Sequence, residues 1–478
     1  MTRHCFPFLA LLTGFYMSHA QDYHAIQGST YAGSLGVHNN PASIVMCPYK
    51  WDLTLVGGQL KSAGNLVTIY NYSLFSNPSN SLYYFKGGEY KRFFDLSFNL
   101  NLLNARIAIG RKSAIAFGLN LKSYTNGSTT RYNFYDTLKS SGDFFKINNP
   151  GNLYSATVTS STWTEIYATY ARTLLDNEAI RLNAGITVKA SKALSGAAAR
   201  FDNAGYTQTG DNRYAVTNAY LEYIYSSNYD HWQKNGSTND NLRNFLKYTN
   251  GSVSVDAGFE YIIKPQELTD INDDDNYYDY TWKIGVSLLD IGFNQYHSGN
   301  KSAVASNIKA GISNINLDDK FDSTITSVQA FNDTLSTIVD NFSALNTGFK
   351  IINPMRLVIN ADRYVMKNIY VNAEISLNIP SAWTKNWRSV RAMNLITLTP
   401  RWETRNFGVY LPIQYTNNNR FWIGGAFKAG PLLAGVHNWA NIFTRNSIQN
   451  GGAYIALIIR NPQSIGKKFD KRLDCPAY

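Results

Sequence analysis

The amino-acid sequence predicts an all-β protein, a closed antiparallel transmembrane β-barrel of about 14–16 strands. Three observations favour this fold. The 478-residue chain has 14% aromatic and only 16% charged residues, a composition that argues against disorder. Many segments alternate between apolar and polar residues. The longest mostly apolar stretch, residues 6–17, is much shorter than the roughly 20 residues that a membrane-spanning helix needs.

The first twenty residues are typical of a secretory signal peptide. Arg3 gives a positive start, residues 8–17 form an apolar core, and Ser18 and Ala20 are small residues before the expected cleavage site. A membrane anchor would need a longer apolar core. A lipid-bearing cysteine would follow that core, whereas Cys5 precedes it. We therefore expect an exported chain that begins after Ala20.

Strict alternation is the strongest signal in the remaining chain. In residues 368–379 the apolar side chains stand at every second position, with Asn, Tyr, Glu and Ser between them. A helix would scatter such a set around its axis, whereas a strand directs one set to each face. Residues 95–102, 181–190 and 406–415 show the same pattern. These segments are predicted strands.

Sixteen such segments are found, and residues 91–110 can be counted as one strand or two. Several segments reach ten residues, near the 9–11 that cross a bilayer at a tilt. Short turns such as 110–112 join some of them, and long polar stretches, 126–160 and 195–250, separate others. This is the plan of an outer-membrane barrel, in which closure is required because lipid cannot satisfy an open sheet edge.

A soluble β-sandwich also alternates and is the alternative fold. The polar face of nearly every strand favours a wet lumen over a second packed sheet. Aromatic residues near strand ends fit an interfacial girdle. They are Tyr70, Tyr72, Trp163, Tyr167, Tyr170, Trp402 and Tyr415.

One connection breaks the two-residue period. Its apolar residues recur at spacings of 3 and 4, which predicts an amphipathic helix of roughly 20 residues. They are Val328, Phe331, Leu335, Ile338, Phe342 and Leu345. We expect this stripe to pack within the protein, although it also suits a lumen plug or a partner surface.

No motif for catalysis, metal binding or cofactor binding is found, so we predict a non-enzyme without metal or cofactor. The alternatives are an enzyme whose Ser, His and Asp residues meet only in space, and a calcium site at the aspartates of residues 270–279, for which a solvated turn is the favoured interpretation. The formal charge of +11 is a modest surplus over a long chain. It favours anionic surfaces such as outer-membrane lipid and lipopolysaccharide, and it argues against a nucleic-acid partner. The sequence identifies no partner protein.

A series of weak motifs resembles a family of uncharacterised outer-membrane barrels that share a FadL-like N-terminal Asn-Pro-Ala segment. The motifs are 31–33, 40–42, 51–53, 107–117, 163–165, 170–172, 182–189, 256–258, 283–292, 399–401 and 430–432. The resemblance implies an outer-membrane location. The FadL comparison favours fourteen strands, and it places Asn40, Pro41 and Ala42 in a hatch within or under the lumen.

The expected organisation is a signal peptide (1–20), a short hatch-like segment (21–49), the barrel (50–460) and a basic periplasmic tail (461–478). The leading functional hypothesis is a passive channel or transporter for small, possibly hydrophobic, molecules. The alternative is a structural or assembly protein with a filled lumen and no transport activity.

Two cysteines remain after signal removal, Cys47 and Cys475. In a closed barrel the first and last strands are neighbours, so these two distant residues lie at the same end. An even pair in an exported chain favours a disulfide. We predict a Cys47–Cys475 bridge that joins the barrel seam; the alternative is a buried thiol and an exposed one.

Overall fold

The computed structural model describes residues 23–71, 73, 76–233, 235–265, 280–379, 386–416, 420–443 and 449–461. The predicted signal peptide, all but the first residue of the predicted tail, and Cys475 lie outside these ranges.

Antiparallel strands form most of the described chain. The first twelve are β1 (Trp51–Gly64), β2 (Val67–Tyr70), β3 (Leu82–Phe85), β4 (Gly88–Ala108), β5 (Ser113–Phe134), β6 (Tyr154–Asp176), β7 (Ile180–Gly210), β8 (Arg213–Tyr225), β9 (Asn250–Ile263), β10 (Trp282–Tyr296), β11 (Ala303–Ile308) and β12 (Val339–Ala344). The others are β13 (Phe349–Ile352), β14 (Arg356–Met366), β15 (Ile369–Asn378), β16 (Leu395–Glu403), β17 (Phe407–Tyr410), β18 (Ile413–Thr416), β19 (Arg420–Ile423), β20 (Gly425–Ala429), β21 (Leu432–Val436), β22 (Asn450–Gly451) and β23 (Ala453–Arg460).

The helices are short and lie in the connections or before β1. The α-helices are α1 (Ser141–Ile147), α2 (Thr238–Lys247), α3 (Asn314–Lys320), α4 (Val328–Ile338) and α5 (Ala440–Phe443). The 3₁₀ helices are His24–Ile26, Thr30–His38, Pro41–Met46, Pro78–Asn80 and Ser227–His231. Within the described ranges, no helix combines the length and the hydropathy required to cross a bilayer.

The sheet closes on itself, because β23 pairs with β1 in the register Asp52↔Arg460. Going around the wall, the order is β1, β4, β5, β6, β7, β9, β10, β14, β15, β16, β17/β18, β19/β20, β21 and β22/β23. Counting each interrupted strand once gives a closed 14-strand antiparallel barrel. The predicted fold class is confirmed.

The two ends of the barrel differ. At one end, here called the turn end, residues 109–112, 177–179, 367–368, 404–406 and 430–431 make tight turns, and only the connection 264–281 is long. The opposite end, the loop end, carries the helices α1–α5. There β7, β8, β11 and β12 extend the sheet beyond the wall.

The wall is polar inside and apolar outside. On β15 the inward residues Asn372 and Glu374 are only 1% and 2% exposed, whereas Ile375 and Leu377 are 40% and 44% exposed. A soluble sandwich would bury the apolar set instead. An apolar outer surface with a polar interior is the pattern of a transmembrane barrel, and it excludes the sandwich alternative.

Two of the sixteen predicted segments do not become separate wall strands. Residues 65–75 contain β2, which pairs only with β3 in a loop-end hairpin. Residues 95–102 and 104–110 belong largely to one strand, β4. A β-bulge between Leu102 and Ala105, with Leu103 at φ 51°, reverses which residues face inward. The bulge interrupts the alternation without ending the strand.

The predicted amphipathic helix is shorter than expected. α4 ends at Ile338, and the next residues form β12, which pairs with β11. The apolar stripe packs within the protein, since Leu335, Ile338 and Phe342 join one cluster with Tyr223. The strand pairing with β11 overrides the helical period in the second half of the segment.

The predicted aromatic girdle is partly wrong, and one of its residues, Tyr72, lies outside the described residues. Tyr170, Trp402 and Tyr415 are exposed on the outer face, but Trp163 and Tyr167 are only 0% and 2% exposed and face the lumen. Trp163 and Tyr167 stand at odd-numbered positions of β6, whose side chains face inward. The Trp163 indole donates a hydrogen bond to the lumen carboxylate of Glu165 at 2.9 Å.

Candidate functional site: a plugged lumen

Residues 23–49, here called the plug, fill the lumen ahead of β1. They contain three 3₁₀ helices, and most of their side chains are buried. Gly28 and Gly33 have φ of 74° and 59°, a left-handed backbone that favours glycine. The second and third helices are capped, because the Ser29 and Asn40 side chains accept hydrogen bonds from the Tyr31 and Ala42 amides.

The plug contains no Asp, Glu, Lys or Arg. Burial, followed by the Lys61 ammonium, lowers the pKa of His24 well below its ordinary value. Burial and then the Lys122 ammonium lower the pKa of His38 to about 3. Both imidazoles are therefore neutral at neutral pH, and the plug carries no formal side-chain charge.

The residues of the Asn-Pro-Ala segment lie inside the barrel. Asn40 is 4% exposed, Ala42 is 0% exposed and Pro41 is buried. The Asn40 amide nitrogen donates to the carbonyl of Phe259 on β9 at 2.9 Å. Asn40 therefore joins the plug to the wall through one atom and caps the third 3₁₀ helix through the other.

Three wall glycines form a cradle for this segment. A Cβ atom on Gly185 (β7) would lie 2.5 Å from the carbonyl carbon of Pro41. A Cβ atom on Gly258 (β9) would lie 3.0 Å from the Cδ atom of Pro41. A Cβ atom on Gly285 (β10) would lie 2.8 Å from the side-chain nitrogen, Nδ2, of Asn40. Because real Cβ contacts are longer than this, only glycine lets the plug approach the wall so closely.

Polar contacts hold the plug on several strands. Three of them are donated by the plug and accepted by a buried wall carboxylate. They are the Ser29 hydroxyl to Glu403 (2.6 Å), the Ser34 amide to Asp52 (2.6 Å) and the Asn39 amide to Glu374 (3.0 Å). In the opposite direction, Arg106 donates to the backbone carbonyls of Ile44, Cys47 and Tyr49. Hydrogen bonds to ionised groups are stronger than neutral ones.

Apolar contacts supplement these bonds at three places. Ile26 and Leu35 pack in a cluster with wall residues of β20, β21 and β23. Val37 and Ile44 pack against alanines of β5 and β6 and against Tyr167. Met46 packs with Ile262. The plug–wall interface is thus mixed, with polar bonds distributed between apolar contacts.

Buried charges of both signs are nearly equal in number. Among the described residues, nine cations and nine anions are buried. They are Lys61, Arg92, Arg106, Lys122, Lys189, Lys283, Arg356, Arg401 and Lys428, and Asp52, Glu165, Glu222, Asp256, Glu260, Asp290, Asp362, Glu374 and Glu403. Glu222 lies on β8, beyond the wall, so the wall strands carry nine buried cations and eight buried anions. These nearly equal numbers do not give the interior the strong potential of a single sign that selects ions.

Asp290 links two lysines on distant strands. Its carboxylate lies 2.9 Å from the Lys122 ammonium of β5 and 2.6 Å from the Lys189 ammonium of β7. The pairing register shifts between Leu288 and Ile291, and Asp290 has φ of 56°. This bulge directs Asp290 into the lumen, where its carboxylate joins the charges of two other strands.

A second charged network lies near the turn end. Arg401 pairs with Asp362 at 2.6 Å and with Glu403 at 3.1 Å, and Lys428 pairs with Glu403 at 2.9 Å. Since Glu403 also accepts from Ser29 of the plug, this network supports the docked position of the plug.

The space between plug and wall includes one small cavity. A cavity of about 30 Å³ lies beside residues such as Tyr23, Asn39 and Asn101, which is room for about one or two water molecules. Near the loop end, Tyr124 and Trp163 stack at 5.6 Å in an apolar cluster with Tyr296 and Val390. The plug and this cluster therefore both obstruct the lumen in this conformation.

The structure places Cys47 at the end of the plug. It is 3% exposed, and its sulfur lies 3.9 Å from the Asp52 carboxylate. Burial raises the pKa of its thiol. Because Cys475 lies outside the described residues, the predicted Cys47–Cys475 bridge stays a prediction.

Sequence reasoning missed the cradle glycines, the carboxylates that accept from the plug, and Asp290. These residues lie on strands far apart in the chain, and no local spacing marks them. The only signal was their common position on the polar or small-residue face of an alternating strand.

The fold and its interior define a transmembrane antiparallel β-barrel closed by an N-terminal plug. The chain belongs to the "Family of unknown function (DUF5723)", whose model matches residues 41–436. No curated protein matches the chain in sequence.

Among solved structures, a Pseudomonas aeruginosa FadL homologue is similar at 11% identity with a TM-score of 0.40, covering 93% of this chain and 98% of that one. The Ralstonia pickettii toluene transporter TbuX is similar at 9% identity with a TM-score of 0.40, covering 93% and 95%. The translocator domain of autotransporter NalP from Neisseria meningitidis has 8% identity and a TM-score of 0.30, covering 86% and 88%. Similarity at this level does not indicate a function for this chain.

Proposed function

We propose that this chain is a non-enzymatic outer-membrane channel for small molecules, with residues 23–49 as its gate. The observation behind this proposal is that the plug carries no formal charge, and hydrogen bonds and apolar contacts rather than salt bridges hold it to the charged wall. Release of the plug would therefore strand no salt bridge. The wall carboxylates and Arg106 would exchange plug partners for water.

The dimensions support a channel once the plug moves. An eight-stranded barrel is filled by its own side chains, and the interior widens with strand number. Fourteen strands leave room for a 27-residue segment, and the same space would be available to water and solutes. The polar wall favours small hydrophilic solutes, and hydrophobic molecules remain the second class to test.

The orientation follows the usual plan of such barrels, with short turns in the periplasm and long loops outside. The plug and the chain beyond β23 would then both lie on the periplasmic side. Protease cleavage within residues 465–478 on intact cells would contradict this orientation.

Solute uptake into liposomes tests the gate. We expect slow swelling with the mature chain, and fast swelling in small sugars with a variant that lacks residues 23–49. A heat-dependent shift in gel mobility would verify that both barrels are folded. Uptake of toluene, measured in the same vesicles, tests the hydrophobic class.

The second candidate is a structural or interaction protein whose lumen stays filled. It is favoured by the small cavity beside the plug and by the apolar cluster at the loop end. A folded variant without residues 23–49 that admits neither sugar nor toluene would support this candidate and refute the channel.

A further inference from the structure

A second cavity, of about 880 Å³, lies at the turn end of the barrel. Residues of two kinds line it: the end of the plug and strand ends of the wall. They include Tyr49, Trp402, Arg405, Phe407, Pro431 and Arg460. No lining residue among those described is acidic.

Two guanidinium groups lie near the Tyr49 ring in this cavity. Their carbons lie 5.8 Å (Arg405) and 5.6 Å (Arg460) from the ring centroid, so they are within about 11 Å of each other. Arg460 donates from its two terminal nitrogens to the carbonyls of Gly430 (3.1 Å) and Tyr31 (3.4 Å). Its Nε and the Nη2 of Arg405 are buried atoms without a hydrogen-bond partner among the described residues. Leaving a buried charged donor unpaired is costly, so the site favours an anion that accepts from both.

The other side of the cavity is apolar and open to the bilayer. Trp402, Phe407 and Ile459 are 43%, 57% and 41% exposed on the outer wall. A ligand that fits has an anionic head beside the arginines and an apolar chain against these residues. Arginine matches phosphate oxygens through its planar fork.

We infer that this cavity binds a phospholipid, with its phosphate between Arg405 and Arg460 and its first acyl carbons against Trp402 and Phe407. In the cell the lipid would come from the leaflet at the turn end, and this part rests on the proposed outer-membrane orientation. The binding site itself does not depend on whether the lumen conducts.

The residues after Asn461 are a less suitable occupant. Residues 462–478 contain four basic side chains and two acidic ones, so their net charge has the same sign as the cavity. Such a segment would repel the two arginines and attract the anionic lipid.

Native mass spectrometry of the mature protein in detergent tests the inference with phosphatidylglycerol as the probe. We expect one retained lipid. The double variant Arg405→Gln/Arg460→Gln should bind it about 25-fold more weakly, from about fivefold for each arginine near a lipid surface. The matched control, Arg172→Gln/Arg363→Gln, removes two exposed arginines near the turn end but outside the cavity; its binding should stay within twofold of wild type.

Three further binding measurements distinguish a phospholipid from the other possible occupants of the cavity. Dioleoylglycerol, which lacks phosphate, should not be retained, and millimolar inorganic phosphate should not displace the lipid. A chain ending at Asn461 should bind no more than twofold more tightly than the mature chain.

Equal lipid binding by the cavity variant and its control would overturn the inference. Displacement by inorganic phosphate would identify a simple anion site instead, and tighter binding by the shortened chain would identify residues 462–478 as the occupant. If the double variant fails to fold by gel mobility, the single variant Arg405→Gln, expected to weaken binding about fivefold, decides. A failed swelling assay would refute the channel but leave these results unaffected.

Discussion

Replacing Gly185 with alanine should loosen the plug. The new Cβ would lie 2.5 Å from the Pro41 carbonyl carbon and 2.6 Å from the Ala42 nitrogen, about 1 Å too close. Both neighbours are backbone atoms, so no side-chain rotation relieves the overlap. Overpacking of this kind costs about 1–3 kcal/mol. A value of about 2 kcal/mol would raise the released fraction about 30-fold.

Cys47 is a natural reporter of this equilibrium, because it is buried in the docked plug and release of the plug is expected to expose it. In a chain that starts at residue 21 and carries Cys475→Ser, it is the sole thiol. Its rate of modification by a maleimide should scale with the released fraction when release is fast and reversible. We therefore expect labelling of Gly185→Ala to be about 30-fold faster than that of the parent.

Gly57 and Gly58, both on β1, provide comparison variants for this labelling rate. A Cβ on Gly58 would meet only Leu100 Cδ1, at 3.9 Å, so Gly58→Ala should label at the parental rate. A Cβ on Gly57 would meet the flexible end of Tyr23, so Gly57→Ala should fall between the two. Equal labelling of folded Gly185→Ala and Gly58→Ala would refute the view that the cradle holds the plug closed.

Three more predictions follow from the wall and the cysteines. Ile166→Arg, at a side chain that is 66% exposed on the outer face, should lower the free energy of unfolding in lipid by about 2–4 kcal/mol. Leu153→Arg at the loop end should change it little, and equal effects would contradict the membrane-facing assignment. Glu403→Gln leaves Arg401 and Lys428 without their shared carboxylate and should lower the free energy of unfolding by about 3–5 kcal/mol. The urea midpoint should fall accordingly, and an unchanged midpoint would contradict this prediction. Free-thiol counting in the unfolded, unreduced mature chain should find none if Cys47 and Cys475 are bridged, whereas two would exclude the bridge.

The wall was predictable because its signal is local. In β15 every second residue is apolar, and that two-residue period alone identifies the strand and its two faces. Which face meets lipid follows from composition, since Asn372 and Glu374 suit a wet interior. The strand count was less certain, because a bulge at Leu103 shifts the alternation without a turn.

The interior was not predictable because it depends on register between strands far apart in sequence. Gly185 and Gly258 stand opposite each other only because β7 pairs with β9 across a loop-end excursion. Similarly, the inward position of Trp163 depends on the parity of β6, which aromatic content does not reveal. The shortened helix α4 shows pairing with another strand overriding a local helical period.

The distribution of plug contacts has a consequence for how the barrel forms. The plug bonds to Asp52 on the first strand, to Phe259 and Glu374 in the middle of the chain, and packs against Ile458 on the last strand. Its full binding surface therefore exists only after the first and last strands have met. Docking of the plug and closure of the seam are then linked equilibria, and each must favour the other by the same free energy.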